Sequence, residues 1–166
     1  MSLKVVTAPD GLTVENSVGR IPVFLAGGIT DCPHWQTLVI DRMRQSALSD
    51  RIVLLNPRRA VWDKNVTSRE QIAWEYRMLC QSYIILFWFP CESVCPIALY
   101  ELGAWSMTDK SMVIGTHPDY ARRVDIIEQT KLARPELLPI RSTLLHVVDD
   151  VLEKVQLLEG LVRRSQ

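Results

Sequence analysis

Residues 83–90 read Y-I-I-L-F-W-F-P, the most apolar run in the chain. Its length and the proline that closes it predict a β-strand. Because polar residues do not alternate with the apolar ones, we expect this strand to be buried on both faces. Strands of that kind belong to parallel sheets that helices cover on both sides, so this stretch favours an α/β fold.

Shorter apolar runs lie on either side of residues 83–89 and alternate with longer amphipathic runs. Strands are predicted at residues 21–26, 51–55, 83–89, 111–115 and 137–140, with a further short strand-like run at residues 3–7 in an N-terminal addition before the main repeat. Helices are predicted at residues 33–47, 68–81, 96–108 and 120–131, with a last helix that Ser142 caps. This alternation predicts a mostly parallel sheet of five strands.

The bulk composition restricts the class of protein. The 166 residues fit a single domain, with residues 1–20 as an N-terminal extension and residues 142–166 as a C-terminal helix. A formal net charge of zero argues against a nucleic-acid polymer as partner. No apolar run has the length of a membrane span, and no signal peptide is recognisable. Four cysteines are too few for a disulfide scaffold, so we expect a reduced, cytoplasmic protein.

Most polar residues of interest follow the predicted strands directly. They occur in residues 27–34, 56–63, 90–96 and 115–120, or at the helix starts beside them. Because ligands of open α/β sheets bind beyond the carboxyl ends of the strands, we expect these four loops to form one site.

Glu101 is the leading candidate among these residues. It shares a helix face with the apolar Ile97, Ala98 and Trp105, and a carboxylate there is costly unless it is partnered or functional. Its place in the second turn predicts that the helix N-terminus helps to keep it ionised. An ionised carboxylate in a dry pocket suits nucleophilic attack. The pattern leaves a surface glutamate on an amphipathic helix equally open.

Four short motifs occur in order and at fitting intervals. They are F-L-A-G-G-I at residues 24–29, N-P-R-R at 56–59, Q-I-A-W-E-Y-R-M-L at 71–79 and P-I-A-L-Y-E-L-G-A at 96–104. Together they resemble the nucleoside 2-deoxyribosyltransferase superfamily, in particular its deoxyribosyltransferase-like branch. The similarity extends over residues 4–130 and implies a flavodoxin-like three-layer fold.

The resemblance also implies roles for single residues. Glu101 matches the glutamate that attacks C1′ of the sugar and forms a covalent glycosyl-enzyme intermediate. Glu75 matches the acidic residue that contacts the base or assists its protonation. Gly27, Gly28 and Ile29 match the turn that lets a ligand approach the backbone, although a tight strand-to-helix turn explains them equally.

Two positions differ from those relatives. Phe24 stands where many have a tyrosine that steadies the catalytic glutamate. Cys95 stands where nucleoside transferases have an aspartate and nucleotide hydrolases a serine. We therefore predict N-glycosyl transfer on deoxynucleosides, with two alternatives left open: a hydrolase of nucleoside 5′-monophosphates and an inactive nucleotide-binding module.

Several further residues are weaker candidates for ligand binding. Arg58, with Arg59 beside it, suits a phosphate but also a solvated loop. The remaining candidates follow the strands and are Asp31, Trp35, Asn56 and His117, of which Trp35 suits base stacking or the core.

We expect no metal and no cofactor. Cys91 and Cys95 have no second metal-ligand pair, and no phosphate-loop or dinucleotide motif is present. The expected partners are a nucleoside or nucleotide and further copies of the chain. Relatives tend to be oligomeric, and the long final helix, Trp62 and Trp105 are compatible with a dimer.

Overall fold

The computed structural model describes residues 2–61 and 67–164, with side chains up to residue 160. These residues contain one sheet of five strands, all parallel to their neighbours. The strands are β1 (Lys4–Thr7), β2 (Ile21–Gly27), β3 (Ile52–Asn56), β4 (Ile84–Phe89) and β5 (Ser111–Thr116). The apolar runs at 3–7, 21–26, 51–55, 83–89 and 111–115 are therefore confirmed as strands to within one residue.

Helices cover both faces of this sheet. They are α1 (Val14–Ser17), α2 (Trp35–Arg44), α3 (Ser68–Gln81), α4 (Pro96–Ser106), α5 (Arg123–Ala133) and α6 (Leu144–Arg164). Helices α2 and α6 pack on one face, and α3, α4 and α5 pack on the other. The predicted flavodoxin-like three-layer fold is confirmed. In the described residues, none of these helices is long and apolar enough to cross a membrane.

The central strand β4 explains why its sequence is apolar throughout. Ile85, Phe87 and Phe89 point into the core beneath α3, α4 and α5. The alternate residues, Ile84, Leu86 and Trp88, point into the core beneath α2 and α6. Because successive side chains of a strand point to opposite faces, a strand between two helix layers has no face for polar residues.

The predicted strand at residues 137–140 is wrong. This segment begins in a short 3₁₀ turn, Pro135–Leu137, and its only pairing in the described chain is one bridge between Gly115 and Arg141. Pro135 and Pro139 have no N–H to donate to a sheet, which is the physical reason why no ladder forms. The fifth strand of the sheet is β1, which pairs with β3 at the opposite edge.

Helix starts differ from the prediction in detail. A capping box between Thr67 and Glu70 begins α3. Thr143, rather than Ser142, accepts a hydrogen bond from the first turn of α6. The helix predicted at 120–131 begins later, at Arg123.

Candidate active site

A cavity lies where the strand order reverses. The order is β1-β3-β2-β4-β5, so the chain adds β3 on one side of β2 and then crosses to add β4 on the other side. A crevice at such a switch point, beyond the carboxyl ends of the strands, is where open α/β sheets bind ligands. The cavity has a volume of about 830 Å³, which accommodates a small organic molecule. Its walls come from β2, the loops after β2 and β3, helix α3 and the start of α4.

The predicted site residues divide into two groups. Those that line the cavity are Gly27, Gly28, Ile29, Asp31, Arg58, Glu75, Cys95 and Glu101. Those that lie outside its lining, in the part of the chain described, are Trp35, Asn56 and His117. The expected convergence of the loops therefore holds for those after β2 and β3 and for the segment that begins α4.

Glu101 lies in the second turn of α4, with Ala98 and Leu102 buried beside it. Burial raises the pKa of the Glu101 carboxyl to about 8, and the nearby charge of Glu75 raises it as well. Within residues 2–61 and 67–160, no donor makes a hydrogen bond to this carboxyl. Burial and the Glu75 charge thus favour the neutral form of Glu101, whereas the helix N-terminus was expected to favour its ionised form.

Glu75 on α3 is held differently. Gln71, one helical turn earlier, donates from Nε2 to Glu75 Oε1 at 2.9 Å and to the Pro57 carbonyl at 3.0 Å. The Gln71 Oε1 accepts a hydrogen bond of 2.7 Å from Arg59 Nε. Burial raises the pKa of Glu75, while the Gln71 hydrogen bond and the Arg59 charge lower it. The two cavity carboxylates are thus unequal: Glu75 has a donor and a nearby cation, and Glu101 faces Glu75.

The glycine turn after β2 is packed against protein atoms. A Cβ at Gly27 would lie 2.1 Å from the Trp88 carbonyl oxygen, and the φ of Gly27 is 151°. A Cβ at Gly28 would lie 2.5 Å from Cys32 Sγ and 2.6 Å from Cys95 Sγ. Both glycines are therefore required by their protein neighbours, in addition to lining the cavity.

Cys32 and Cys95 place two free thiols beside Gly28. Cys95 has a φ of 51° immediately before α4, and its thiol donates to the Ser93 carbonyl at 3.3 Å. Burial raises the pKa of the Cys32 thiol and raises that of Cys95 to about 12. Neutral, buried thiols pack as small apolar groups and react slowly. No group of three or more His, Cys, Asp or Glu side chains in the described ranges is arranged to hold a metal ion.

Tyr120 supports the segment before α4. Its hydroxyl donates to the Val94 carbonyl at 2.6 Å, and its ring packs 5.3 Å from Phe89. Because Val94 precedes Cys95, this hydrogen bond helps to hold the backbone that begins the helix of Glu101.

Arg58 holds the loop after β2. One of its terminal nitrogens, Nη2, donates to the carbonyls of Ile29, Cys32 and Pro33 at 2.8, 3.2 and 3.1 Å. The backbone N–H of Arg58 donates to Asn56 Oδ1 at 3.1 Å, so Asn56 shapes the same turn. These contacts make Arg58 a brace for the cavity wall.

Three candidates have clear structural surroundings. The buried Trp35 donates from its indole Nε1 to the Gly28 carbonyl at 2.8 Å. His117 accepts a hydrogen bond of 3.2 Å from the backbone of Asp119. Phe24 lines the cavity with its ring 6.3 Å from that of Trp74.

Sequence reasoning missed Gln71 in the cavity wall and Cys32 beside the lining residue Gly28. Gln71 lies four residues before Glu75, and this spacing places two side chains on one helix face. The sequence alone could therefore have predicted their contact. The contact of Cys32 with Gly28 depends on the path of the loop, which no local pattern predicts. Trp62 lies outside the described residues.

A family model described as nucleoside 2-deoxyribosyltransferase like matches residues 20–120. The match spans more than half of the chain and includes the glycine turn, Glu75, Cys95 and Glu101. It confirms the resemblance inferred from the motifs. No protein with a curated description matches the chain.

Proposed function

We propose, since the chain belongs to the nucleoside 2-deoxyribosyltransferase-like family, that it transfers the sugar of a deoxynucleoside from one base to another through Glu101. The observation that carries this proposal is the position of Glu101. Its carboxyl lies in the cavity at the switch point of the sheet, beside a second carboxylate. Family membership supports nucleoside-related glycosyl transfer, and this geometry supports Glu101 as its nucleophile.

In the proposed reaction a Glu101 oxygen attacks C1′ as the bond from C1′ to the base nitrogen breaks. The bonding electron pair leaves with the base, and a proton neutralises the base nitrogen. The product is a glycosyl ester on Glu101, as in a retaining glycosidase. A second base then attacks C1′ from the vacated side and releases Glu101. Water in place of that base would give hydrolysis.

The cavity walls suit this chemistry. Phe24, Ile72 and Ile97 offer apolar surface for a base and a sugar ring, and Glu75 offers a hydrogen-bond acceptor and a site for a proton. We assign Glu75 to contact with the base, since it is the other carboxylate within reach of Glu101.

The two arginines of the cavity wall are partly engaged by protein acceptors. Arg58 and Arg59 both line the cavity. Arg58, however, donates to three backbone carbonyls, and Arg59 donates to Gln71. A phosphate would have to compete with these acceptors. Product analysis separates the two activities, because the hydrolase would release deoxyribose 5-phosphate and the transferase would exchange bases.

We also propose that the chain forms a homo-oligomer through the outer face of α4. Ala98 and Leu102 of this helix are buried, whereas Tyr100, and Met107 directly after the helix, are 78% and 83% exposed. A helix that is apolar on all sides is ordinarily buried on all sides, which supports coverage by a second copy. Light scattering of the purified chain tests this, and a monomer at micromolar concentration would contradict it.

The test of the proposed reaction is direct observation of the ester. The protein is mixed with a 2′-fluorinated nucleoside, whose fluorine slows the loss of the glycosyl group, and its intact mass is measured. We expect the mass to increase by one glycosyl group in the wild type and to stay unchanged in Glu101→Gln. If neither protein gains mass, neither exchanges bases, and both bind a nucleoside equally, the chain is a binding module and the proposal fails.

A further inference from the structure

The amide of Gln71 can take only one orientation. Both of its N–H groups are used, one toward Glu75 and one toward the Pro57 carbonyl, and its oxygen accepts from Arg59. Rotating the amide by half a turn would place its oxygen against the two acceptors and its nitrogen against the Arg59 donor. Gln71 is 8% exposed, so water would have little access to relieve such a mismatch.

This orientation makes Glu75 Oε1 an acceptor. A donor with a fixed direction favours the ionised form of the carboxylate that accepts from it, and Arg59 adds a positive charge at the other end of the chain of hydrogen bonds. Glu101 has neither feature. Glu75 and Glu101 line the same cavity, and the charge of Glu75 acts on Glu101. Two such carboxylates resist being ionised together, so one of them retains a proton.

We propose that Gln71 is a positioning residue that holds Glu75 ionised and thereby leaves the single proton of the carboxylate pair on Glu101 in the unliganded site. This inference rests on the proposed function for its catalytic meaning, whereas the position of the proton is a property of the protein alone. Neither Gln71 nor Arg59 takes part in bond making; both act through Glu75.

The catalytic consequence is that the Glu101 carboxyl provides both the proton that the leaving base takes up and the oxygen that attacks the sugar. The Glu101 carboxyl gives its proton to the leaving base, directly or through Glu75, and its oxygen bonds to C1′. The C1′–N bond breaks, its electron pair goes to the base nitrogen, and that nitrogen keeps the proton. The products are a neutral base and a glycosyl ester, so proton and charge balance without a further acid.

The charged surroundings of the pair are few. Arg59, from the loop after β3, is the cation whose charge acts on Glu75. The other ionisable groups of the cavity wall are Asp31 and His34 on the loop after β2, Arg58 after β3 and Cys95 before α4. None of these four is among the groups that shift the pKa of Glu75 or Glu101.

The decisive experiment follows both carboxyl carbons by NMR in protein labelled with ¹³C at glutamate Cδ, assigned with Glu101→Gln and Glu75→Gln. In the wild type we expect Glu75 to lose its proton at lower pH than Glu101. In Gln71→Met, which keeps the side-chain length but has no donor, the Glu75 midpoint should rise and the Glu101 midpoint should fall. Each shift should be at least about one pH unit, or tenfold in proton affinity.

Gln81→Met is the matched control, since Gln81 is an exposed glutamine at the end of the same helix and its replacement should leave both midpoints in place. If Gln71→Met does not fold, Arg59→Met replaces it, with shifts in the same directions and of smaller size. A Glu101 midpoint that is unchanged in both variants overturns the proposal, and so does a wild type in which Glu75 holds the proton.

Turnover adds an independent readout if the wild type exchanges bases. Gln71→Met should lower the rate roughly tenfold or more and move both limbs of its pH profile to higher pH. In Gln71→Glu, a protonated glutamate can donate to Glu75, so activity should recover on the acidic side alone. An unshifted profile in both variants contradicts the positioning role. Absence of turnover in every protein would defeat the proposed function, while the NMR titration would still decide the role of Gln71.

Discussion

Two walls of one cavity respond differently to the same physical effect. The carboxylate wall consists of Glu75 and Glu101 on helices α3 and α4. The thiol wall consists of Cys95, which lines the cavity directly before α4, and of Cys32, which lies beside the lining residue Gly28. Burial is the largest influence on all four groups, and it raises the pKa of each. In both walls, therefore, the environment favours the neutral acid.

The consequences are opposite because the starting values differ. Burial moves the Glu101 carboxyl from 4.5 to a pKa of about 8, into the range where a proton can be exchanged near neutral pH. The same effect moves the Cys95 thiol from 9.0 to a pKa of about 12, out of that range. Burial thus brings the pKa of a carboxyl close to neutral pH, where it can transfer a proton. It raises the pKa of a thiol so far that almost no reactive thiolate forms.

The largest effect is expected from removing the proposed nucleophile, Glu101. Glu101→Gln should lower the rate of base exchange at least about a thousandfold, because an amide cannot form the glycosyl ester. A coupled assay or chromatography of the released base measures the rate. Glu128→Gln, at an exposed glutamate of α5, is the control and should retain full activity. If Glu101→Gln retained activity within tenfold of the wild type, Glu101 would not be the nucleophile. The contrast between a reactive carboxylate wall and an inert thiol wall would then be wrong.

Alkylation tests the inert wall. Burial raises the pKa of the Cys95 thiol to about 12, so almost none of it is thiolate at pH 8, and it should react with iodoacetamide at least about a hundredfold more slowly than the exposed Cys80. Peptide mass spectrometry over time gives both rates. Equal labelling would show that the thiol wall is reactive and that the contrast is wrong.

The pH dependence of stability tests the carboxylate wall without an assay of activity. The folded pKa of Glu101 lies above its unfolded value of 4.5, so its contribution to stability is complete below about pH 4.5 and is lost as the pH rises to about 8. Relative to the wild type, Glu101→Gln should gain on the order of a few kcal/mol in unfolding free energy between about pH 5 and pH 9. Urea unfolding at both pH values measures this, and a constant difference would argue against a neutral Glu101.

Gly28→Ala tests how tightly the thiol wall is packed. The new Cβ would meet both sulphur atoms, so we expect a loss of about 1–3 kcal/mol in unfolding free energy. Gly11→Ala is the matched control, since a Cβ there has no atom within 4 Å. Adding Cys95→Ala to Gly28→Ala should restore part of the loss; if the double variant is no more stable than the single one, the sulphur is not the obstacle.

The smallest effect is expected at Tyr120. Tyr120→Phe keeps the ring on Phe89 but loses the hydrogen bond to the Val94 carbonyl, which should cost about 0.5–1.5 kcal/mol. Tyr83→Phe, at an exposed position directly before β4, should cost nothing measurable in urea unfolding. Equal stability of both variants would show that the thiol wall does not depend on this contact.

The strands were predictable because burial on both faces leaves an uninterrupted apolar run. β4 is the clearest case, and β2, β3 and β5 follow the same rule. Residues 137–140 are apolar as well, but Pro139 removes a backbone donor, so apolar character alone misled the prediction. The place of β1 beside β3 is a long-range pairing, which the four residues of β1 do not encode locally.

The candidate site was predictable where its residues follow strands or belong to short motifs. Glu75, Glu101 and the glycine turn are of that kind. The protonation state of Glu101 was not predictable, because its pKa depends on how much water α3 and α4 exclude together. The contact of Gly28 with Cys95 was not predictable either, because the two residues are 67 positions apart in the sequence and meet only in the folded chain.

Trp35 connects the site to the far side of the molecule. Its ring is packed in the same core as Val147 and Val151 of α6, while its indole nitrogen holds the Gly28 carbonyl at the cavity wall. A shift of α6 would therefore move Trp35 and, through its hydrogen bond, the Gly28 carbonyl at the cavity wall. Shortening that helix, or binding of another molecule to it, would therefore change the shape of the glycine turn at the cavity wall.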